Sequence, residues 1–234
     1  MARSRTSKTG TEQDVSLDTK LAPSQDRSKV TFEIILKAAG ELLGEVGIER
    51  LSTNMICERA RLTPPALYRY FPNKYAILRE LGERLMKAED RIVFRALATR
   101  QVALDQPLDR LVERRAELLT KVRRVARRVP GGEWILRVMR AVPVLQEVRI
   151  QSTRSVADEV FARLHAEHPA IDERRLRVAT LLSTALGSAA NDLAWDEPGM
   201  EAEISIEFAR MMALYYRNLA GIAVEQVVRP GTTD

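Results

Sequence analysis

Few residues in this chain could carry covalent or metal chemistry, and they are scattered. The only histidines, His165 and His168, stand three apart beside Glu167. Two imidazoles at that spacing share a helix face, as some metal ligands do. They also fall at the polar C-terminal end of a helical segment, where a histidine suits the helix dipole. The second reading is preferred, so no metal and no cofactor is expected. Cys57 is the single cysteine, has no histidine near it in sequence, and reads as a small buried apolar residue. No phosphate-cradling Gly-Lys loop, zinc ligand set or Gly-rich dinucleotide loop occurs. No catalytic residue is assigned and an enzyme is not expected.

Coherent chemistry is concentrated in one stretch, Leu51 to Leu78, which reads LSTNMICERARLTPPALYRYFPNKYAIL. Thr63 precedes Pro64, at a point where a helix N-terminus would present amides and a hydroxyl to a phosphate. Arg69 can bond O6 and N7 of one guanine, a contact worth about 1–3 kcal/mol of discrimination. It can equally bond a phosphate, and both readings stand. Pro64, Pro65 and Ala66 offer apolar contacts only, for example to a thymine methyl.

Those side chains need short helices to present them. The spacing predicts a helix from about Ser52 to Arg59, with Ser52 as N-cap and Met55, Ile56 and Ala60 on its apolar face. Ala60-Arg61-Leu62 is the turn. A second helix opens with Thr63 as N-cap and Pro64 at its first position. Ala66, Leu67, Tyr70 and Phe71 recur on it, and Pro72 ends it near Phe71. A third helix restarts at Asn73 or Lys74. Two short helices on a three-residue turn form a helix-turn-helix, whose second helix enters the major groove. The same pattern also fits two core helices of another bundle.

Gly47, Leu51-Ser52-Thr53, Ile56, Ala60, Thr63, Leu67-Tyr68-Arg69-Tyr70-Phe71-Pro72-Asn73-Lys74 and Leu78 together resemble the DNA-binding domain of TetR-family transcriptional regulators. The resemblance covers roughly Ser28 to Leu78. It implies that Thr53 bonds a phosphate and that Tyr68, Tyr70 and Lys74 touch the DNA backbone, contacts that set register without reading sequence. Two positions depart from the family pattern. Arg61 stands where a turn glycine is usual and must enter left-handed geometry at some cost. Pro65 stands where the recognition helix often has glycine.

The remainder reads as all-α, about nine helices in total by apolar periodicity. Residues 1–27 form an expected disordered basic tail, 28–75 the DNA-binding domain, and 76–234 a helical regulatory and dimerisation domain. Further helices are expected from Ser28 to Val46, Lys74 to about Arg100, Pro107 to about Val129, Glu133 to Ala141, about Val144 to Glu167, Asp172 to about Trp195 and Glu201 to about Val227. The Pro107 helix has a basic face, Arg110, Arg114, Arg115, Lys121, Arg123, Arg124, Arg127 and Arg128, read first as solvated and paired with Asp109, Glu113 and Glu117. An anion surface or a lining for an acidic ligand is the other reading.

The net charge of +5 over 234 residues suits an anionic partner without naming it. The longest uncharged apolar stretch, Val178 to Asn191, is short of the roughly 20 residues that span a bilayer. No apolar segment marks the first residues for export, so a cytoplasmic protein is expected. The resemblance implies a homodimer through the last two long helices, a near-palindromic double-stranded DNA operator, and an unknown small-molecule effector that releases a repressor. A pocket for that effector would draw on Phe94, Trp134, Met139 and Phe161, with polarity from Arg137, Arg140 or Asn191, although each aromatic also fits an ordinary core. The alternatives are a DNA-organising or protein-interacting factor without an effector, which a closed middle would favour, and a helical enzyme with a borrowed DNA-binding domain.

Overall fold

The computed structural model describes residues 16–20 and 26–222. Among them are nine helices and no strand: α1 Asp26–Arg50, α2 Thr53–Ala60, α3 Pro64–Tyr68, α4 Lys74–Ala98, α5 Leu108–Arg128, α6 Gly132–Ala141, α7 Pro143–Glu167, α8 Glu173–Asp196 and α9 Glu201–Leu219. α9 ends at Leu219, short of the expected Val227, and Gly221 (φ 67°) turns the chain after it; most of the expected tail and residues 223–227 lie outside the described residues.

Local chemistry sets most boundaries. α1 leaves helical geometry at Gly47 (φ 74°), then adds one turn closed by the Leu51 amide on the Gly47 carbonyl at 3.2 Å. Ser52 caps α2 by accepting from the Met55 amide at 3.3 Å. Arg61 ends α2 in left-handed geometry (φ 53°, ψ 44°), as the missing glycine requires. Its amide bonds the Glu58 carbonyl, and the Leu62 amide bonds the Cys57 carbonyl at 2.9 Å, which satisfies the helix's last acceptors. α3 is shorter than expected. After Tyr68 the chain tightens, with the Tyr70 and Phe71 amides both on the Leu67 carbonyl, because Pro72 forbids another turn. Asn73 then caps α4 through the Ala76 amide at 3.0 Å.

Two cores hold the molecule. The first joins Ile35, Leu43, Ile56, Leu67, Phe71 and Ile77 of α1–α4 to Ile135, Met139 and Leu145 of α6 and α7. Each fully buried side chain of this size contributes roughly 1.5–3 kcal/mol. This core crosses the expected boundary at residue 75. The second joins Leu104, Leu111, Leu176, Ala213 and Tyr216 of the α5, α8 and α9 region. α4 packs on α5 and α7, α7 on α8, α5 on α9 and α8 on α9, while α6 bridges this bundle to α1. The α5–α6 turn lies so close to α1 that a Cβ on Gly131 would fall 2.0 Å from the Gly40 carbonyl oxygen. Among the described residues no helix is long and apolar enough to cross a membrane.

Candidate nucleic-acid interface and cavity

α2 and α3 form the expected helix-turn-helix, and its outer surface carries most of the residues singled out. Thr63, Pro64, Pro65, Tyr68 and Arg69 are exposed, Ala66 partly so. Thr63 caps α3 with backbone geometry only, making no side-chain capping bond. Thr53 and Tyr68 share a hydrogen bond through their hydroxyls at 2.9 Å. Two polar groups from different helices are thus gathered at one edge. Arg69 follows α3 in helical geometry (φ −63°), and no ion pair with it occurs among the described residues. Arg61 is in the same condition: exposed and unpaired at the head of the turn. It was read in sequence only as a strained turn residue. Its position two residues before a helix N-terminus was the signal for a phosphate-facing cation. By contrast Arg59 is held by Glu45 at 2.7 Å and lies 3.7 Å from Glu41, tying α2 to α1. That pairing holds the Glu45 carboxyl below its usual range.

Two residues expected to touch the DNA backbone are engaged within the domain. Tyr70 is 5% exposed. Its ring meets Phe32 edge-on at 6.0 Å, and its hydroxyl shares a hydrogen bond with Ser28 at 3.0 Å. It turns inward because the tight turn after α3, with the Tyr70 and Phe71 amides on the Leu67 carbonyl, sets both rings on the same buried side as Leu67. Lys74 donates through Nζ to the carbonyls of Ile48 at 2.8 Å and Leu51 at 2.9 Å. Its ammonium therefore serves acceptors left over after the Gly47 break. Burial pushes the Cys57 thiol up, as suits a core residue.

Ser16–Lys20, within the expected tail, lies against the same domain. The Lys20 amide donates to the Tyr70 carbonyl at 2.9 Å, Asn73 Nδ2 to the Ser16 carbonyl at 2.8 Å, and Arg79 to Asp18 at 3.0 Å.

Between the two cores is a cavity of about 220 Å³. Of the residues expected to line a pocket, only Asn191 does so. Met139 is 1% exposed and fills the space over Gly82 in the first core. Phe161 is packed between His165, stacked at 5.4 Å, and Arg177, 3.9 Å from the ring centroid. Trp134 is 42% exposed, beside Gly44 of α1, with Arg137 5.6 Å from its ring centroid. Phe94 lies on α4 one residue past Val93, which does face the cavity. These aromatic side chains answer to nearer neighbours than the cavity. Arg140 and Arg137 pair with Asp192 and Asp196, both at 3.2 Å.

The cavity's polar groups come from residues that were not singled out, and from the arginine face of α5. Glu89 and Asp90 enter from α4, Ser152 from α7 and Asp192 from α8. Ser152 donates to Asp90 at 2.8 Å, and Arg149 pairs with Asp192 at 3.1 Å. Burial above all, then the Asp90 carboxylate, pushes the Glu89 carboxyl up to about 8, with Arg149 opposing and Asp192 adding. Burial also raises Asp90, against the Ser152 bond. Arg115 and Arg123, expected on a solvated face, turn inward. Arg123 is 3% exposed, meeting Asn191 at 3.3 Å and Glu201 at 3.7 Å. Arg115 donates to the Val102 carbonyl at 3.3 Å, and burial lowers its guanidinium to about 10. Arg100, Arg163, Glu167 and the hydroxyls of Thr153, Ser183, Thr184 and Ser188 also line it, and its apolar wall includes Met86, Val93, Leu119, Val156, Phe208 and Met212.

Residues 35–81 match the family described as bacterial regulatory proteins, tetR family. The tetracycline repressor protein class C of Escherichia coli is 41% identical over 59 residues, 25% of this chain and 27% of that protein. The class G repressor of Vibrio anguillarum is 42% identical over 60 residues, 26% of this chain and 29% of the other. The chain thus spans little more than a quarter of the length of the curated relatives it matches. Beyond that segment the likeness is one of fold. A tetR-family transcriptional regulator from Streptomyces coelicolor superposes with a TM-score of 0.60 at 14% identity, over 82% of this chain and 86% of that one. SmeT of Stenotrophomonas maltophilia, described as the repressor of a multidrug efflux pump, gives 0.55 at 21% identity, over 87% and 95%. A SmeT–triclosan complex gives 0.54 at 23% identity, over 88% and 97%.

Proposed function

We propose that the chain, whose residues 35–81 match the TetR family of bacterial regulatory proteins, is a member of that family and a dimeric, sequence-specific repressor released from its operator by a small molecule. The observation that carries the reading is the exposed surface from Thr63 to Arg69 on a second helix anchored by Leu67 and Phe71. Thr53, Thr63, Pro64, Pro65, Ala66, Tyr68 and Arg69 form the DNA-facing set, to which we add Arg61. Arg69 reads a base or holds a phosphate; the hydroxyls and the α3 N-terminus hold phosphates.

Dimerisation through α8 and α9 is supported by the apolar side chains they leave exposed: Val178 (61%), Leu182 (57%), Leu186 and, on α9, Met211 (59%) and Tyr215. A monomer rarely leaves such a stripe on two adjacent helices uncovered. Two copies joined there would present two recognition helices to successive major grooves of a near-palindromic site. The cavity between the two cores supports an effector, and triclosan bound to a neighbour of this fold is in keeping with it. An effector acts only through its differential affinity for the two conformers. The reading implies a cytoplasmic protein.

Selection of bound sites from random duplex DNA at near-physiological salt tests the proposal. A two-fold symmetric sequence is the expected outcome. An unsymmetrical, featureless pool would leave only the non-specific phosphate binding available to any basic protein and would end the repressor reading.

A further inference from the structure

We propose that the cavity takes an amphiphilic organic cation, with its ammonium group at Glu89 and Asp90 and its apolar body along α4, α5 and α7. The charges around the cavity carry the argument. Four of its arginines already face carboxylates: Arg100 with Glu167 at 2.6 Å, Arg149 with Asp192 at 3.1 Å, Arg163 with Glu159 at 2.7 Å and Arg123 with Glu201 at 3.7 Å. The fifth, Arg115, has no carboxylate partner among the described residues: it donates once, to the Val102 carbonyl at 3.3 Å, its Nε is buried without a hydrogen-bond partner, and the guanidinium lies 5.6 Å from the centroid of the Tyr216 ring. The acids are not so matched. Glu167 and Asp192 have their partners, but no ion pair or hydrogen bond with Glu89 occurs among the described residues. Asp90 has only the Ser152 hydroxyl. Two adjacent carboxyls thus face the cavity without an ion pair, and Arg149, the cation that acts on Glu89, is committed to Asp192. A buried carboxylate without a partner is costly, so Glu89 keeps its proton in the empty cavity, and a charge-assisted bond to a ligand ammonium would favour its ionised form.

Binding moves a proton. In the empty cavity the Glu89 carboxyl keeps its proton up to about pH 8. An incoming ammonium favours the carboxylate, so the Glu89 O–H bond breaks and the proton leaves to solvent as the ion pair forms. The groups facing Glu89 are Asp90 on its own helix, Arg149 and Ser152 from α7, Asp192 from α8, and Arg115 and Arg123 from α5 across the cavity. Arg149 is the one cation that acts appreciably on Glu89, and it is committed to Asp192. Below about pH 8 cation affinity should therefore rise with pH, by up to about tenfold per unit, and level off above it.

Titration calorimetry of the full chain with octylammonium, octanol and octanoate tests this without DNA. The cation is expected to bind at least about tenfold tighter than the alcohol. Near neutral pH its heat should differ between two buffers by the ionisation heat of nearly one proton. Glu89→Gln, checked for folding by circular dichroism, should bring the cation level with the alcohol and abolish the proton release. Preference for octanoate, equal binding of cation and alcohol by the unaltered protein, cation binding without proton release, or no binding of any probe would overturn the proposal. Only the consequence for DNA rests on the repressor reading. Operator binding measured without probe separates a failure of that reading from a failure of this one.

Discussion

Arg69, which closes α3, and Lys74, which opens α4, are cations close together in sequence, yet their surroundings give them different work. Arg69 is exposed and unpaired, so Arg69→Ala should lower operator affinity by roughly 1–3 kcal/mol while leaving thermal stability nearly unchanged. If the guanidinium reads a base, the selected site loses its preference at one position per half-site; a phosphate contact would weaken all sequences alike. Lys74 holds the Ile48 and Leu51 carbonyls. Lys74→Ala should therefore cost about 1–3 kcal/mol of folding stability, since charged hydrogen bonds to part-buried acceptors are lost. Urea unfolding distinguishes the two. Glu89 offers a third test. Its folded pKa, raised to about 8, lies above its unfolded value of about 4.3. Its protonated form therefore favours the folded state below the unfolded value, and that stability is lost as pH rises through 8. Glu89→Gln should raise the melting temperature at about pH 9 and have little effect at about pH 4, the gap approaching but not exceeding about 1.4 kcal/mol per unit between the two pKa values. An equal shift at both pH values would remove the titration argument.

At the scale of elements, the turns carry the information. Arg61 occupies left-handed geometry that costs a residue with a Cβ roughly 1–2 kcal/mol. Arg61→Gly should stabilise the domain by up to about 1 kcal/mol after the glycine's extra unfolded-state entropy is subtracted, and should weaken DNA binding if the guanidinium faces a phosphate. The α5–α6 turn is the reverse case. Gly131→Ala would drive a Cβ into the Gly40 carbonyl and also strain a residue at φ 68°. A loss of more than about 2 kcal/mol is expected, together with a shift of α1. α1 supports α2 while α6 and α7 share one core with α4, so this contact ties the bundle to the helix behind the helix-turn-helix. Retention of full stability by the alanine variant would show that the turn can yield.

At the scale of the whole molecule, the exposed stripe on α8 and α9 has to be covered or tolerated. Val178→Glu with Leu182→Glu should give a monomer by light scattering, with operator affinity falling by orders of magnitude because one half-site must act alone. A dimer that survives both changes would mean another face joins the copies. The cap at Ser52, the Pro72 stop and the left-handed Arg61 were legible in the sequence because they depend on the few residues around them. The exposed outer surface of the helix-turn-helix was legible in outline for the same reason: helix spacing places Thr63, Tyr68 and Arg69 apart from Leu67 and Phe71. Which way Tyr70 and Lys74 turn was decided by Ser28, Phe32, Ile48 and Leu51, residues 23 or more positions away. The cavity lay beyond local reading altogether. Helical periodicity puts Arg115 and Arg123 on a polar face and says nothing of Glu89. Only the packing of α4, α5, α7 and α8 gives those charges their common interior, because burial and pairing belong to what lies opposite a side chain in space, which distant parts of the chain must supply.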